Sequence, residues 1–249
     1  MNITFKTTPT LFGSFHIITL LLIIIFNISF YFYFKKKNET VLLKSIFIIG
    51  IIMILMEIFK QIFCFFYVFN KEINLWFFPF QLCSMAMYLS FLIKYVNKNI
   101  QNNFLIFLST YNLFASVVAL LTPLDMLRPQ ILLTLQSFIY HGLMISVAIL
   151  SILILKNRNN LTFKPTIYLF LLMAVIAEII NVIAHLIFND IYREPNMFYI
   201  TPVYPTTQPI FHDIAVKFGI FTEIIIYLSI ITLGSYLIFL FLYKRKTNH

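Results

Sequence analysis

The chain has 249 residues, of which 61% are hydrophobic and only 11% charged, with a net charge of +9 at neutral pH and a mean hydropathy of +0.91. Soluble domains average roughly 45–50% apolar and 25% charged residues, so a soluble fold is excluded and the chain reads as an integral membrane protein. The basic residues lie in loops between apolar runs, where membrane topology explains them better than a nucleic-acid surface does.

A spanning helix needs about 20 mainly apolar residues. Seven runs meet that length: 11–34, 43–69, 76–96, 104–122, 131–155, 166–188 and 215–243. The first is too long for a signal-peptide core and its basic cluster follows it, so it is expected to be a retained helix. The third opens with an aromatic-proline stretch, "FFPFQLCSMAMYLSFLIKY" from Phe77 to Tyr95, which places Gln81, Cys83 and Ser84 at the head of a membrane helix. The connection over 189–214 is long for a loop and holds four prolines. Its Tyr, Phe and Ile content argues against disorder, so it is expected to fold over the outer mouth of the bundle.

Loop charge sets the orientation. Lys35, Lys36, Lys37, Lys44, Lys94, Lys98, Lys156, Arg158, Lys164, Lys244, Arg245 and Lys246 fall on one side; Lys6, Lys71, Arg128, Arg193 and Lys217 fall on the other. The positive-inside rule then predicts an external N-terminus and a cytoplasmic C-terminus. The expectation is one all-α membrane domain over 1–249, a polytopic bundle of about seven transmembrane helices in the cell membrane.

Polar residues inside the runs recur at helical spacing, which puts each set on one helix face. The sets are Glu57, Lys60, Gln61 and Cys64; Ser109, Asn112 and Ser116; Thr134, Ser137 and His141; Glu178, Asn181 and His185; and Glu223 with Tyr227. At about 1.5 Å of rise per residue, Glu57, Lys60, Gln61, Cys83, His141, Glu178, Asn181, His185 and Glu223 fall in the middle or outer half of the membrane, while the inner half is almost purely apolar. Buried ionisable groups usually face the bundle interior, so one polar pocket opening outward is predicted.

Plainer readings stand beside this one. Glu57 and Lys60 are one turn apart and suit a buried ion pair. Asn112 and Asn181 suit interhelical hydrogen bonding, and a lone membrane cysteine is most often a small hydrophobe. Gln81 and Cys83, two residues apart, point about 200° from each other on a regular helix; both face the pocket only if the helix start near Pro79 is irregular. No metal-ligand spacing and no disulfide framework is present, so neither a metal nor a cofactor is expected. Membrane lipids are the expected partners and nucleic acid is not.

Four short elements carry a resemblance. They are the acid–lysine pair Glu57/Lys60, the P-x-x-L-C element Pro79 to Cys83, the single His141 of the fifth run, and the "PNMFYITPVYP" stretch after the sixth. In these the chain resembles the YwaF family of bacterial integral membrane proteins, whose eukaryotic relatives are transmembrane acyltransferases acting on ether phospholipids. Gln81 stands where bacterial members commonly carry histidine. The resemblance implies a catalytic pair at Cys83 and His141, with a cysteine thioester as intermediate. The alternative is a carrier, channel or receptor for a small solute or ion, with Glu57, Lys60, Glu178, His185 and Glu223 lining its path. A third possibility is a structural membrane protein in which the polar residues are glue.

Overall fold

A computed structural model describes residues 4–188 and 195–243. The expected all-α membrane architecture is observed. In chain order the helices are α1 (Ser14–Phe34), α2 (Glu39–Phe63), α3 (Met85–Leu92), α4 (Lys98–Ser109), α5 (Tyr111–Leu121), α6 (Ile131–Leu155), α7 (Lys164–Phe188), α8 (Pro209–Phe218) and α9 (Ile220–Tyr243). Among the described residues, six helical stretches are long and apolar enough to cross a membrane: 14–34, 39–68, 98–121, 131–155, 164–187 and 220–243.

The third predicted run is the main correction. Over 76–96 there is no continuous helix. The chain makes a 3-10 turn at Leu75–Phe77, an irregular stretch, and a second 3-10 turn at Leu82–Ser84 that leads into α3. The helical part, Leu82–Leu92, is 11 residues, about 16 Å at helical rise and half of what the hydrocarbon core requires. Pro79 lacks an amide hydrogen and biases Phe78 away from helix.

Three further boundaries move. The fourth run starts earlier, at Lys98, and breaks at Thr110 (φ −122°, ψ −78°), which separates α4 from α5. The seventh begins only at Ile220. Residues 215–218 close the separate helix α8, and Gly219, at φ +89°, makes a turn that a side chain would strain. The predicted loop 189–214 is partly ordered into the 3-10 turn Met197–Tyr199 and the start of α8; its residues 189–194 lie outside the described residues.

The residues cluster into two compact units, Met1–Lys60 with Ala86–Leu161, and Gln61–Met85 with Thr162–His249. In the first, α6 packs against α1, α4 and α5. At one end Arg158, just past α6, donates to Glu39 Oε1 (2.6 Å), Gln101 Oε1 (2.7 Å) and Asn102 Oδ1. The starts of α2 and α4 and the end of α6 therefore meet there. Both α2 and α4 run away from that end, so the chain must return between them. The return is made through α3, which lies antiparallel along α2: Phe91 stacks on Phe47 at 5.5 Å, and a Cβ on Gly50 would stand 2.7 Å from Phe91 N.

In the second unit, α8 packs on α9, and the Met197–Tyr199 turn packs on α7. α2 ends within this unit in a widened π-helical turn, Cys64–Val68.

Candidate functional site

Cys83 sits in the first turn of the Leu82–Leu92 helix and is half-buried; Cys64, in the π-helical turn, is buried. Eleven residues separate Cys83 from Lys94, about 16 Å along a helix, and Lys94 lies over the Phe47 ring at 4.3 Å. Cys83 thus stands at the start of a short apolar helix. The unpaired N–H groups and positive end of a helix stabilise a thiolate, so this placement favours nucleophilic sulfur.

The irregular entry to that helix is held by side-chain amides. Gln81 is extended (φ −75°, ψ 160°) and lies before the helix, so the 200° argument does not apply to it. Its Nε2 donates to Asn196 O and its Oε1 accepts from Phe198 N, both at 2.9 Å. Asn181 does the same one residue along: Oδ1 accepts from Met197 N at 2.7 Å and Nδ2 donates to Met197 O at 3.2 Å. Gln61 Nε2 donates to Phe77 O. Asn196 Oδ1 accepts from Thr201 N at 3.0 Å. These amides act as surrogate backbone. Non-helical chain at membrane depth is tolerated only where its polar groups are satisfied within the protein. The clamped turn holds Phe198 and Tyr199 at φ +58° and +59°, a left-handed pair that non-glycine residues adopt at some energetic cost.

Further polar groups belong to the same unit. Glu223 is 1% exposed and its Oε1 has no hydrogen-bond partner among the described residues. One turn on, Tyr227 packs edge-on against Phe211 at 5.0 Å and near Tyr199 at 6.4 Å. Cys83 and Glu223 are the electrostatic neighbours of Tyr227. Glu178, half-buried, accepts from Asn181 Nδ2 at 3.3 Å, and His185 is half-buried near the end of α7. A cleft of about 210 Å³ in the same unit is lined wholly by apolar side chains of Leu75, Phe78, Ile180, Ile183, Ala184, Ile187 and Pro195.

In the first unit, Lys60 Nζ and Glu57 Oε2 pair at 2.8 Å, with Glu57 buried and Lys60 half-buried. His141 Nδ1–H donates to Ser137 O at 2.8 Å. In the neutral ring the lone pair is then on Nε2, the arrangement a general base needs. Lys60 is an electrostatic neighbour of His141, and Glu57 of Tyr88. Asn112 Nδ2 donates to Leu108 O (3.0 Å) and to Met144 O (2.9 Å), tying α5 to α6.

Two polar residues that position α1 carry no part in the sequence reading of the site. His16, fully buried, accepts from Phe12 N at Nδ1 and donates from Nε2 to Leu120 O. Asn27 donates to Gly142 O and accepts from Ser146 Oγ at 2.9 Å. Their spacing of eleven residues, about three helical turns, puts both on the single buried stripe of an otherwise lipid-exposed helix, and is the signal that marks them.

A family model described as the TMEM164 family matches residues 11–243. No curated protein and no solved structure matches the chain. The match covers nearly the whole chain and all six long apolar helices, and the chain belongs to the TMEM164 family, as a multi-pass membrane protein.

Proposed function

We propose, with that membership as premise, that the protein is a thiol-dependent acyltransferase acting on membrane phospholipids, seated in the cell membrane. The observation that carries the reading is the position of Cys83: a half-buried thiol in the first turn of a short apolar helix. The thiolate attacks the ester carbonyl of a donor phospholipid, forming a C–S bond. The C–O bond breaks, and the leaving alkoxide takes a proton. A hydroxyl of an acceptor lipid then attacks the thioester, loses its proton to a base, and regenerates the thiol. His141 is the base in this reading, its proton held on Nδ1 by Ser137 O. The apolar cleft of the Cys83-bearing unit suits an acyl chain.

A solute carrier is supported less well. Gln61, Gln81, Asn112 and Asn181 are hydrogen-bonded to backbone groups, and are thereby withdrawn from lining a polar path.

The test is mass spectrometry of the purified protein after incubation with phospholipid vesicles. A hydroxylamine-sensitive acyl group on Cys83, absent in Cys83→Ala and retained in Cys64→Ala, is expected. An acyl group carried only by Cys64, or none on a folded protein turning over lipid, defeats the proposal.

A further inference from the structure

We infer that the end of the first unit that holds Arg158 carries a site for one anionic phospholipid. Lys94 and Lys44 hold its phosphate, and the rings of Phe47 and Phe91 lie under its first methylenes. This lipid is a bound ligand rather than a substrate, so the inference stands apart from the thiol reading.

Contacts within the unit build the site. Gln101 Nε2 donates to Ile93 O at 3.1 Å, and Gln101 Oε1 accepts from Arg158, which also holds Glu39. The residue before Lys94 is thereby fastened to the starts of α2 and α4. Lys94 Nζ lies over the Phe47 ring, 4.3 Å from its centroid. Tyr95 packs on both Phe47 (6.0 Å) and Phe91 (5.8 Å) and is 68% exposed. Phe47, Phe91 and Tyr95 therefore form one aromatic patch with a cation on it. Lys44, exposed, stands three residues before Phe47 on the same face of α2.

Loop charge alone explains basic residues at this end. It does not explain why Lys94 is drawn across to another helix. Lys35 over Phe32 and Lys37 over Tyr33 are neighbours in sequence, whereas Lys94 and Phe47 belong to different elements. Nor is the charge matched within the unit. Its carboxylates are Glu39, Glu57 and Asp125. Glu39 pairs with Arg158 and Glu57 with Lys60, while Asp125 precedes α6, at the far end from Arg158. Among the described residues, Lys44 and Lys94 have no ion-pair partner. The level suits a headgroup: Lys44 is near the start of α2, and α3 ends two residues before Lys94. An ammonium carries three donors, so the ring covers one side and leaves the others to phosphate oxygens. Ile51 and Ile54 continue the face of Phe47 at helical spacing and are half-buried, which gives an acyl chain an apolar path. A zwitterionic lipid would bring its own ammonium against the two lysines; an anionic one brings none.

The experiment adds lipid to detergent-solubilised full-length protein and reads the bound fraction by native mass spectrometry. The probes are phosphatidylglycerol, phosphatidylcholine with the same chains, and glycerol 3-phosphate, which has the phosphate without the tails. Phosphatidylglycerol is expected to bind about tenfold or more tightly than phosphatidylcholine, the effect of two lysines together. Lys94→Gln and Lys44→Gln should each weaken it about fivefold, and Lys94→Arg should not. Lys36→Gln makes the same charge change at the same end, after α1 and outside the aromatic patch, and should leave the affinity as it was. Equal binding of the two phospholipids overturns the inference. So does a Lys36→Gln loss as large as that of Lys94→Gln, since it would mean diffuse attraction to a basic surface. Displacement of phosphatidylglycerol by an equal concentration of glycerol 3-phosphate overturns the assignment to a lipid. Should a lysine variant not fold, the comparison of the two phospholipids on the parent protein decides.

Discussion

Gly50 offers the sharpest quantitative check on how α3 is held. A Cβ built at this position stands 2.7 Å from Phe91 N and 2.9 Å from both Ser90 C and Ser90 Cβ. Ordinary contacts of this kind begin near 3.4 Å, so Gly50→Ala must push α3 away from α2 by about 0.7 Å. Two of the three obstructing atoms are backbone and cannot rotate aside. Close approach through small residues is how membrane helices gain packing without a hydrophobic drive between them, and overpacking such a contact typically costs about 1–3 kcal/mol. Gly142 supplies the control. Its Cβ would meet only Ile23 side-chain atoms, the nearest at 3.5 Å. Both substitutions bring the same gain in helix propensity, about 0.5–1 kcal/mol, so the difference between them isolates the clash. Unfolding in mixed micelles titrated with SDS, followed by tryptophan and circular dichroism signals, should place Gly50→Ala about 1–3 kcal/mol below Gly142→Ala. Equal stabilities would mean that α2 and α3 are not in this contact, and the antiparallel return through α3 would fail with it.

Three other expectations follow from the same geometry. Arg158→Gln removes a guanidinium whose side chain is 6% exposed and which joins α2, α4 and the end of α6; the loss should be about 1.5–3 kcal/mol in the same titration, and Arg158→Lys should not restore it, since one ammonium cannot reproduce the fork. Glu57→Gln breaks the ion pair with Lys60 and should cost about 3–5 kcal/mol, while the double change Glu57→Gln with Lys60→Met should recover much of that; unchanged melting of the single variant would mean the pair is solvated. Reporter fusions placed after Arg158 and after Tyr243 should both behave as cytoplasmic, and an external signal at either would reverse the orientation drawn from loop charge.

The long helices were legible because hydropathy over 20 residues is a strong, local signal; the run 131–155 coincides with α6. What the sequence hid is where apolar content and helical geometry part company. Residues 76–96 are as apolar as a spanning helix, yet Pro79 and a 115-residue-distant partner for Gln81 make their first third irregular. No local pattern reports such a partner. The same holds for the amides: spacing placed Gln61 and Asn181 on polar faces, but only the fold reveals that those faces meet peptide groups. The sequence reading began this helix at residue 76, which put Cys83 well inside it; the helix starts at Leu82, so Cys83 lies in its first turn. The pair His16 and Asn27 was readable by period alone and marks the one buried stripe of α1.

The amide clamp also bears on how the chain is made. A stretch with only 11 helical residues offers the insertion machinery no autonomous span, and its exposed peptide groups would be costly in lipid. The atoms that satisfy them, Asn196 O and Phe198 N, lie 115 and 117 residues downstream of Gln81. At synthesis rates of about 5–20 residues per second, those partners emerge roughly 6–23 s later. For that interval the nascent segment must be sheltered in the translocon or at the interface, and the cysteine it carries enters its final setting only once Asn196 and Phe198, in the last quarter of the chain, have emerged.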